Sequence, residues 1–249
     1  MAVSDAPSAS SSSSTASAVY TIVYRVIAYF GLMSVFASLA YGFRHDRDAS
    51  WQNYTFDLLL YLAFIAPHLV LTRAWWKKAV WGSPVGSPRE RRFYIALAVI
   101  WWMAVLWLHR PLPGLDLKLE LPLPVRFAGY VAFLWSLIMF FEGASRAALD
   151  GLLGVPGTVM QYSHGAETPL NTEGPYAQVR HPMYRAALLA GVSTIVVHPN
   201  TAQLFWAGLI GLTFIAFIPV EEAQLVAARG EDYLRYRRQT PYRLFRGVW

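Results

Sequence analysis

The sequence predicts an all-α, polytopic integral membrane protein of about six transmembrane helices. Its 249 residues are 55% hydrophobic and 15% aromatic but only 14% charged, against about 25% charged in an ordinary soluble domain. Apolar runs near the roughly 20 residues that a helix needs to cross a bilayer recur along the chain. The basic residues behind the net charge of +6 gather in alternate connections, as the positive-inside rule requires.

Residues 1–18 are serine-rich (SDAPSASSSSSTAS) and lack the apolar surface to fold, so a disordered tail is expected. The first apolar run, Val19 to Phe43, is too long for a secretory signal and lacks its layout. Spans are expected at roughly 19–43, 55–76, 93–109, 125–145, 183–198 and 201–220. Arg73, Lys77, Lys78, Arg89, Arg91 and Arg92 place the 73–92 connection in the cytoplasm, with topology and lipid-headgroup contact as its role. The 44–54 loop sets Arg44 and Arg47 against Asp46 and Asp48, and the 110–124 loop is near-neutral, so both belong on the opposite side. The 146–182 segment then returns to the cytoplasm, as does the tail with Arg229, Arg235, Arg237, Arg238, Arg243 and Arg246. Both termini are thus expected inside. Trp75, Trp76, Trp81, Trp101, Trp102 and Trp107 suit interfacial belts. Glu142, Arg146 and Asp150, spaced i,i+4, are expected to brace the end of the fourth span. The chain divides into four N-terminal spans (19–145) and a C-terminal region (146–249).

Several function classes drop out. The absence of cysteine removes disulfides, thiolate metal sites and a cysteine nucleophile. The histidines at 45, 68, 109, 164, 181 and 198 never fall at i,i+3 or i,i+4, so no histidine-box or HExxH metal site is expected. Cytoplasmic loops account for the positive charge without nucleic acid.

The chemistry-bearing stretch is Gly174 to Tyr184, GPYAQVRHPMY. Gly174-Pro175 is turn punctuation, and Pro182 fits the first turn of an apolar helix running to Val197. Such a helix start offers unpaired N–H groups and a partial positive charge to a carboxylate or phosphate. His198-Pro199-Asn200 marks a tight turn, so the last two spans form a hairpin. Its mouth brings Arg180-His181-Pro182-Met183-Tyr184 beside Pro219-Val220-Glu221-Glu222. Adjacent carboxylates at the end of an apolar helix are costly unless paired or functional. Beyond them, Gly230 to Arg237 reads as an interfacial helix with Tyr233 and Tyr236 on one face.

This ordered set, GPY, RHPMY, an apolar hairpin, EE, YLRYRR and PYR, resembles the membrane methyltransferases related to isoprenylcysteine carboxyl methyltransferase and the phospholipid methyltransferases. It covers about residues 170–245. PHLVLTRAWWKK, Pro67 to Lys78, is similar to the methanethiol S-methyltransferase or NnrU-like branch. One departure is Arg185, where the family commonly has a small residue after RHPMY; Ala186 and Ala187 follow only afterwards.

The resemblance implies S-adenosylmethionine as cofactor, although a Rossmann-type GxGxG is absent and GLLGVPG (Gly151 to Gly157) follows no strand. It implies a cofactor site made of Tyr176, Val179, Arg180, His181, Pro182, Tyr184, Glu221, Glu222, Tyr233 and Tyr236. In it, His181 and Tyr184 contact the adenosine or methionine part and the Pro182 helix start receives the carboxylate. Tyr176 lines the adenine side, and Glu221 or Glu222 bonds the ribose or amino group. Tyr233 and Tyr236 close over the cofactor with ring faces that tolerate a cation, while Arg180 orients Glu222. Methyl transfer from a sulfonium depends on in-line positioning, which in favourable cases contributes about 7–11 kcal/mol, so no obligatory nucleophile is expected. A thiol or amine acceptor must lose its proton, and Glu222 or His181 would take it. The expected partners are membrane lipids and a small or lipophilic acceptor (thiol, carboxylate or amine) arriving from the bilayer, and the expected location is the bacterial inner membrane.

Other readings of the same residues stand beside these. Arg180 with Glu221 or Glu222 also reads as an ion pair that seats the hairpin. Tyr233, Tyr236 and the nearby arginines also read as an amphipathic lipid anchor, and His68 as a hydrogen-bonded interhelical residue. His164 and Glu167 lie in a polar loop placed to cover the cofactor. As alternatives to a methyltransferase, the same mouth suits an NADPH-binding membrane reductase or a non-catalytic membrane accessory protein of the NnrU type.

Overall fold

The computed structural model describes residues 10–82, 87–114, 121–147, 149–156, 158 and 170–249. Its helices are α1 (Ser10–Tyr41), α2 (Gln52–Leu71), α3 (Ala74–Trp81), α4 (Pro88–Leu108), α5 (Leu123–Arg146), α6 (Leu149–Leu152), α7 (Pro175–Gln178), α8 (Pro182–Val197), α9 (Thr201–Arg229) and α10 (Glu231–Gln239). The protein is an all-α membrane protein. Five helices, α1, α2, α4, α5 and α9, are long and apolar enough to cross a bilayer. The sixth expected span, α8, has 16 residues, a rise of about 24 Å against roughly 30 Å of hydrocarbon.

The helices alternate in direction, and side-chain bonds tie each end of the bundle. At one end Arg25 and Tyr29 of α1 bond Asp150, and the Tyr24 hydroxyl donates to the Leu153 carbonyl. There too Arg91 donates to the Leu152 carbonyl and Gln224 to the Thr72 carbonyl. At the other end Asn53 and Tyr54 donate to the carbonyls of Pro111 and Pro113. Arg44 there bonds the His109 carbonyl, and His198 bonds the Ala40 carbonyl. The start of α8 belongs to the first end and His198, which closes it, to the second, so this short helix joins both.

α8 packs most extensively on α5, because small residues line the seam. A Cβ on Gly143 would lie 3.2 Å from Met183, and one on Gly129 would lie 3.0 Å from Val197. Ala186, Ala187 and Ala190 are buried on the α8 side. Close backbone approach of this kind is how helices associate without a hydrophobic driving force. It also answers the departure at Arg185, since Ala186 and Ala187 do the close packing one step later.

Four local expectations are corrected. α9 does not stop near residue 220 but runs unbroken through Pro219, Glu221 and Glu222 to Arg229; a proline inside a membrane helix is tolerated where neighbours satisfy the freed carbonyl. Of the tail expected to be disordered, residues 10–18 are helical, because propagation from a long helix adds each residue at low cost, and residues 1–9 lie outside the described residues. The 73–92 connection holds α3, and α4 begins at Pro88 with the Ser87 hydroxyl accepting from the Glu90 N–H, a capping arrangement. Asp150 does not brace α5. It bonds α1 instead, leaving Glu142 and Arg146 as an exposed pair at 3.9 Å.

Candidate active site at the hairpin mouth

Continuity of α9 puts Glu221 and Glu222 on a rigid helix beside the start of α8. His181 is the N-cap residue of α8 and Pro182 its first helical residue. Arg180 and His181 are held in place by their backbone: their N–H groups donate to the carbonyls of Tyr242 and Arg243 at 2.9 and 3.0 Å. The PYR segment thus straps the RHP segment along its length.

The side chains then close a buried ion cluster. Arg180, 8% exposed, donates through Nε to Glu222 Oε1 at 2.7 Å. Its Nη1 donates to the carbonyls of Thr240 and Pro241 at 2.8 and 2.6 Å. Arg243 grips Glu222 Oε2 through Nε and Nη2 at 3.3 and 3.1 Å. His181 lies between the two glutamates, with Nε2 3.3 Å from Glu222 Oε1 and Nδ1 3.4 Å from Glu221 Oε2. Burial pushes the His181 pKa down, but the two carboxylates outweigh it and hold the pKa above its ordinary value. In the protonated state three cations face two carboxylates, so the mouth carries a net positive charge beside the positive end of a helix.

Aromatic rings build the remaining walls. Tyr184 stacks on His181 with ring centroids 5.5 Å apart. The Tyr236 hydroxyl donates to the Tyr176 carbonyl at 2.8 Å, and the Tyr176 hydroxyl reaches the Gly143 carbonyl at 3.4 Å. Tyr233 is 1% exposed, and its hydroxyl has no hydrogen-bond partner among the described residues. Burial raises the pKa of all three tyrosines on α7 and α10, keeping them neutral donors. Together Tyr176, Arg180, His181, Pro182, Tyr184, Glu221, Tyr233 and Tyr236 line one small crevice of about 40 Å³. Met183, Tyr184 and Glu221 also line a second, largely apolar cavity of about 340 Å³ inside the bundle.

Of the expected site residues, Val179 and Glu222 do not line the crevice. Val179 is fully buried, and Glu222 directs both oxygens to Arg180, His181 and Arg243. The carboxylate that faces the crevice is Glu221. Arg180, expected to orient Glu222, bonds its Oε1. His68 bonds the Phe64 carbonyl of its own helix at 2.6 Å and packs against Tyr94. His164 and Glu167 lie outside the described residues. The reading missed Arg243, one of six tail arginines that look like topology signals. The signal that could have found it is its place in PYR, directly after a turn-forming Thr-Pro. It also missed Glu90 and Lys77, 3.5 Å apart, which line the larger cavity.

The polar groups of the crevice suit a zwitterionic ligand that also carries hydroxyls. The unsatisfied Tyr233 hydroxyl offers a buried donor, the α8 start and His181 suit a carboxylate, and Glu221 suits an ammonium or ribose hydroxyl.

Residues 126–230 match the family model of the phospholipid methyltransferases. The chain is 28% identical over 187 residues to "Methanethiol S-methyltransferase" of Crocosphaera subtropica, covering 74% of this chain and 72% of that one. It is 28% identical over 192 residues to "Methanethiol S-methyltransferase 1" of Bradyrhizobium diazoefficiens, covering 74% of this chain and 64% of that one. A Mycobacterium tuberculosis protein named "Methanethiol S-methyltransferase" is 27% identical over 192 residues, 74% of each chain. No solved structure matches. Over residues 126–230 the chain is therefore similar to the phospholipid methyltransferases, and over about three quarters of its length to proteins named methanethiol S-methyltransferase.

Proposed function

We propose that the protein is an S-adenosylmethionine-dependent membrane methyltransferase acting on a thiol, with the cofactor at the hairpin mouth on the cytoplasmic side. The observation that carries this reading is the wall of Met183, Tyr184 and Glu221, shared by a polar, ion-built crevice and an apolar cavity. A charged cofactor and a lipophilic acceptor would meet across that wall. The printed names of the relatives support a thiol as the acceptor.

When bound, the cofactor supplies an electrophilic methyl group on a sulfonium. The chain's own part is positional. His181 and the α8 start hold a carboxylate, Glu221 holds a cationic or hydroxyl group, and Tyr176, Tyr233 and Tyr236 enclose the adenosine. Glu222 touches no ligand in this arrangement but fixes Arg180, His181 and Arg243. Burial of the mouth excludes water, which strengthens every electrostatic contact inside it. Glu221, rather than Glu222, is the carboxylate placed to receive a proton near the shared wall. The basic end of the bundle faces the cytoplasm of a bacterial inner membrane.

Calorimetry on detergent-purified protein tests the reading. Micromolar S-adenosylmethionine binding is expected in wild type, at least tenfold weaker in Glu221→Gln and Tyr233→Phe combined. A folded wild type that does not bind it would sink the proposal; equal binding by the variant would move the site elsewhere.

A further inference from the structure

The larger cavity has a polar end of which the methyl-transfer site uses Glu221 but not Glu90. Thr72, Lys77, Glu90, Arg91, Glu221 and Gln224 line it there, where α3 and α4 meet the end of α9. Glu90 is only 5% exposed; its Oε1 faces Lys77 Nζ at 3.5 Å, and its Oε2 is buried without a hydrogen-bond partner among the described residues. A buried carboxylate oxygen left unpaired is costly, so it marks a place for a donor. The rest of the lining is aliphatic and aromatic, including Leu32, Val35, Phe36, Phe214 and Phe217. The volume of about 340 Å³ falls in the range of pockets that enclose molecules of many heavy atoms, whereas methanethiol has two.

We propose that this cavity is an acceptor chamber for a lipophilic thiol larger than methanethiol, whose S–H is held by Glu90 on entry. Its sulfur then reaches the shared wall, where Glu221 takes its proton as the new C–S bond forms and the methyl–sulfonium bond breaks. The inference rests on the thiol methyltransferase reading above and extends it to acceptor size and to a residue outside the cofactor crevice. The apolar body of the acceptor lies against α1 and α9. A thiol is a weak donor, but a charged, desolvated acceptor makes that contact selective. Lys77 lies 3.5 Å from Oε1 and leaves the other carboxylate oxygen to accept. Each methylene the chamber removes from water favours binding by up to about fourfold, so kcat/KM rises with chain length until the chamber is filled.

Two readouts on the full-length protein in nanodiscs test this. In turnover assays with n-alkanethiols from methanethiol to octanethiol, hexanethiol is expected to exceed methanethiol in kcat/KM by at least tenfold. Glu90→Gln is expected to raise the hexanethiol KM roughly tenfold with cofactor affinity unchanged, and Glu90→Asp to recover part of it. Val35→Phe, or Leu32→Phe if that variant fails to fold, shortens the chamber and removes the hexanethiol preference while methanethiol turnover persists. Methanethiol as the preferred acceptor, or a Glu90→Gln effect on cofactor affinity alone, would overturn the proposal. The second readout is thermal stabilisation by hexanethiol without cofactor, expected in wild type and reduced in Glu90→Gln. It decides the chamber even if wild type binds no S-adenosylmethionine, an outcome that would defeat only the reading of the crevice.

Discussion

Substituting Glu222 by Gln isolates what the ion cluster contributes. The carboxylate is 4% exposed and receives bonds from Arg180 and Arg243 with His181 beside it. The amide keeps the shape and one acceptor oxygen, but its NH2 group meets a donor wherever the second oxygen stood. Removing one partner of a buried ion pair costs about 3–5 kcal/mol, because the other charge is left uncompensated. For a chain of this size that corresponds to a fall in Tm on the order of 10 °C. Glu221→Gln serves as the control, since the Glu221 side chain, beside His181, is more exposed at 19%; a smaller loss of about 1 kcal/mol is expected there. The assay is thermal unfolding in detergent at pH 6 and pH 9. His181 adds a pH signature. Its pKa is raised in the fold, so the stability it contributes is fully present below about 6.5, the unfolded value, and is lost as pH rises through the folded value. Wild type therefore exceeds His181→Gln in stability by more at pH 6 than at pH 9, and Glu222→Gln narrows that gap. Equal melting of Glu222→Gln and Glu221→Gln, or a gap that widens with pH, would refute the account of the cluster.

Three further outcomes follow from the geometry. Gly174 has φ +58°, and a Cβ there would lie 2.7 Å from the Arg146 guanidinium; Gly174→Ala is expected to destabilise by about 1–3 kcal/mol, read as a lowered Tm, with Arg146→Ala relieving only the steric part. His109 is pushed down to about 4 by burial and by the nearby Arg44 cation. The unfolded chain then binds the extra proton first, so stability falls by up to about 3 kcal/mol as pH drops from 6.5 towards 4, and His109→Asn should flatten that slope in an acid melting series. Tyr236→Phe removes the bond to the Tyr176 carbonyl and is expected to cost about 1 kcal/mol, with faster proteolysis after Arg235 as the measurement.

Composition was enough to read five of the six expected spans as long apolar helices, because a bilayer imposes length and polarity rules on every crossing. The pairing of RHP with EE was equally legible, since a hairpin of two apolar runs forces its mouths together. Glu222 and Glu221 could not be told apart, because adjacent positions on a helix differ by about 100° in direction and only packing decides which faces inward. Pro219 read as a boundary because a proline biases the preceding residue away from helix in water, a bias that neighbours override inside a bundle. Arg243 and Glu90 were hidden for another reason. Each is one charge within a basic or mixed loop, and its significance comes from a contact far along the chain, 21 residues back to Glu222 in the first case.

The strap between residues 180–181 and 242–243 bears on which sequence changes the mouth tolerates. Its two bonds run from backbone N–H to backbone carbonyl, so exchange of the Tyr242 or Arg243 side chain leaves them in place. Proline at either donor position, 180 or 181, removes one of them. The path of the tail across the mouth is therefore set by main chain, and its charges are added to a frame already in place.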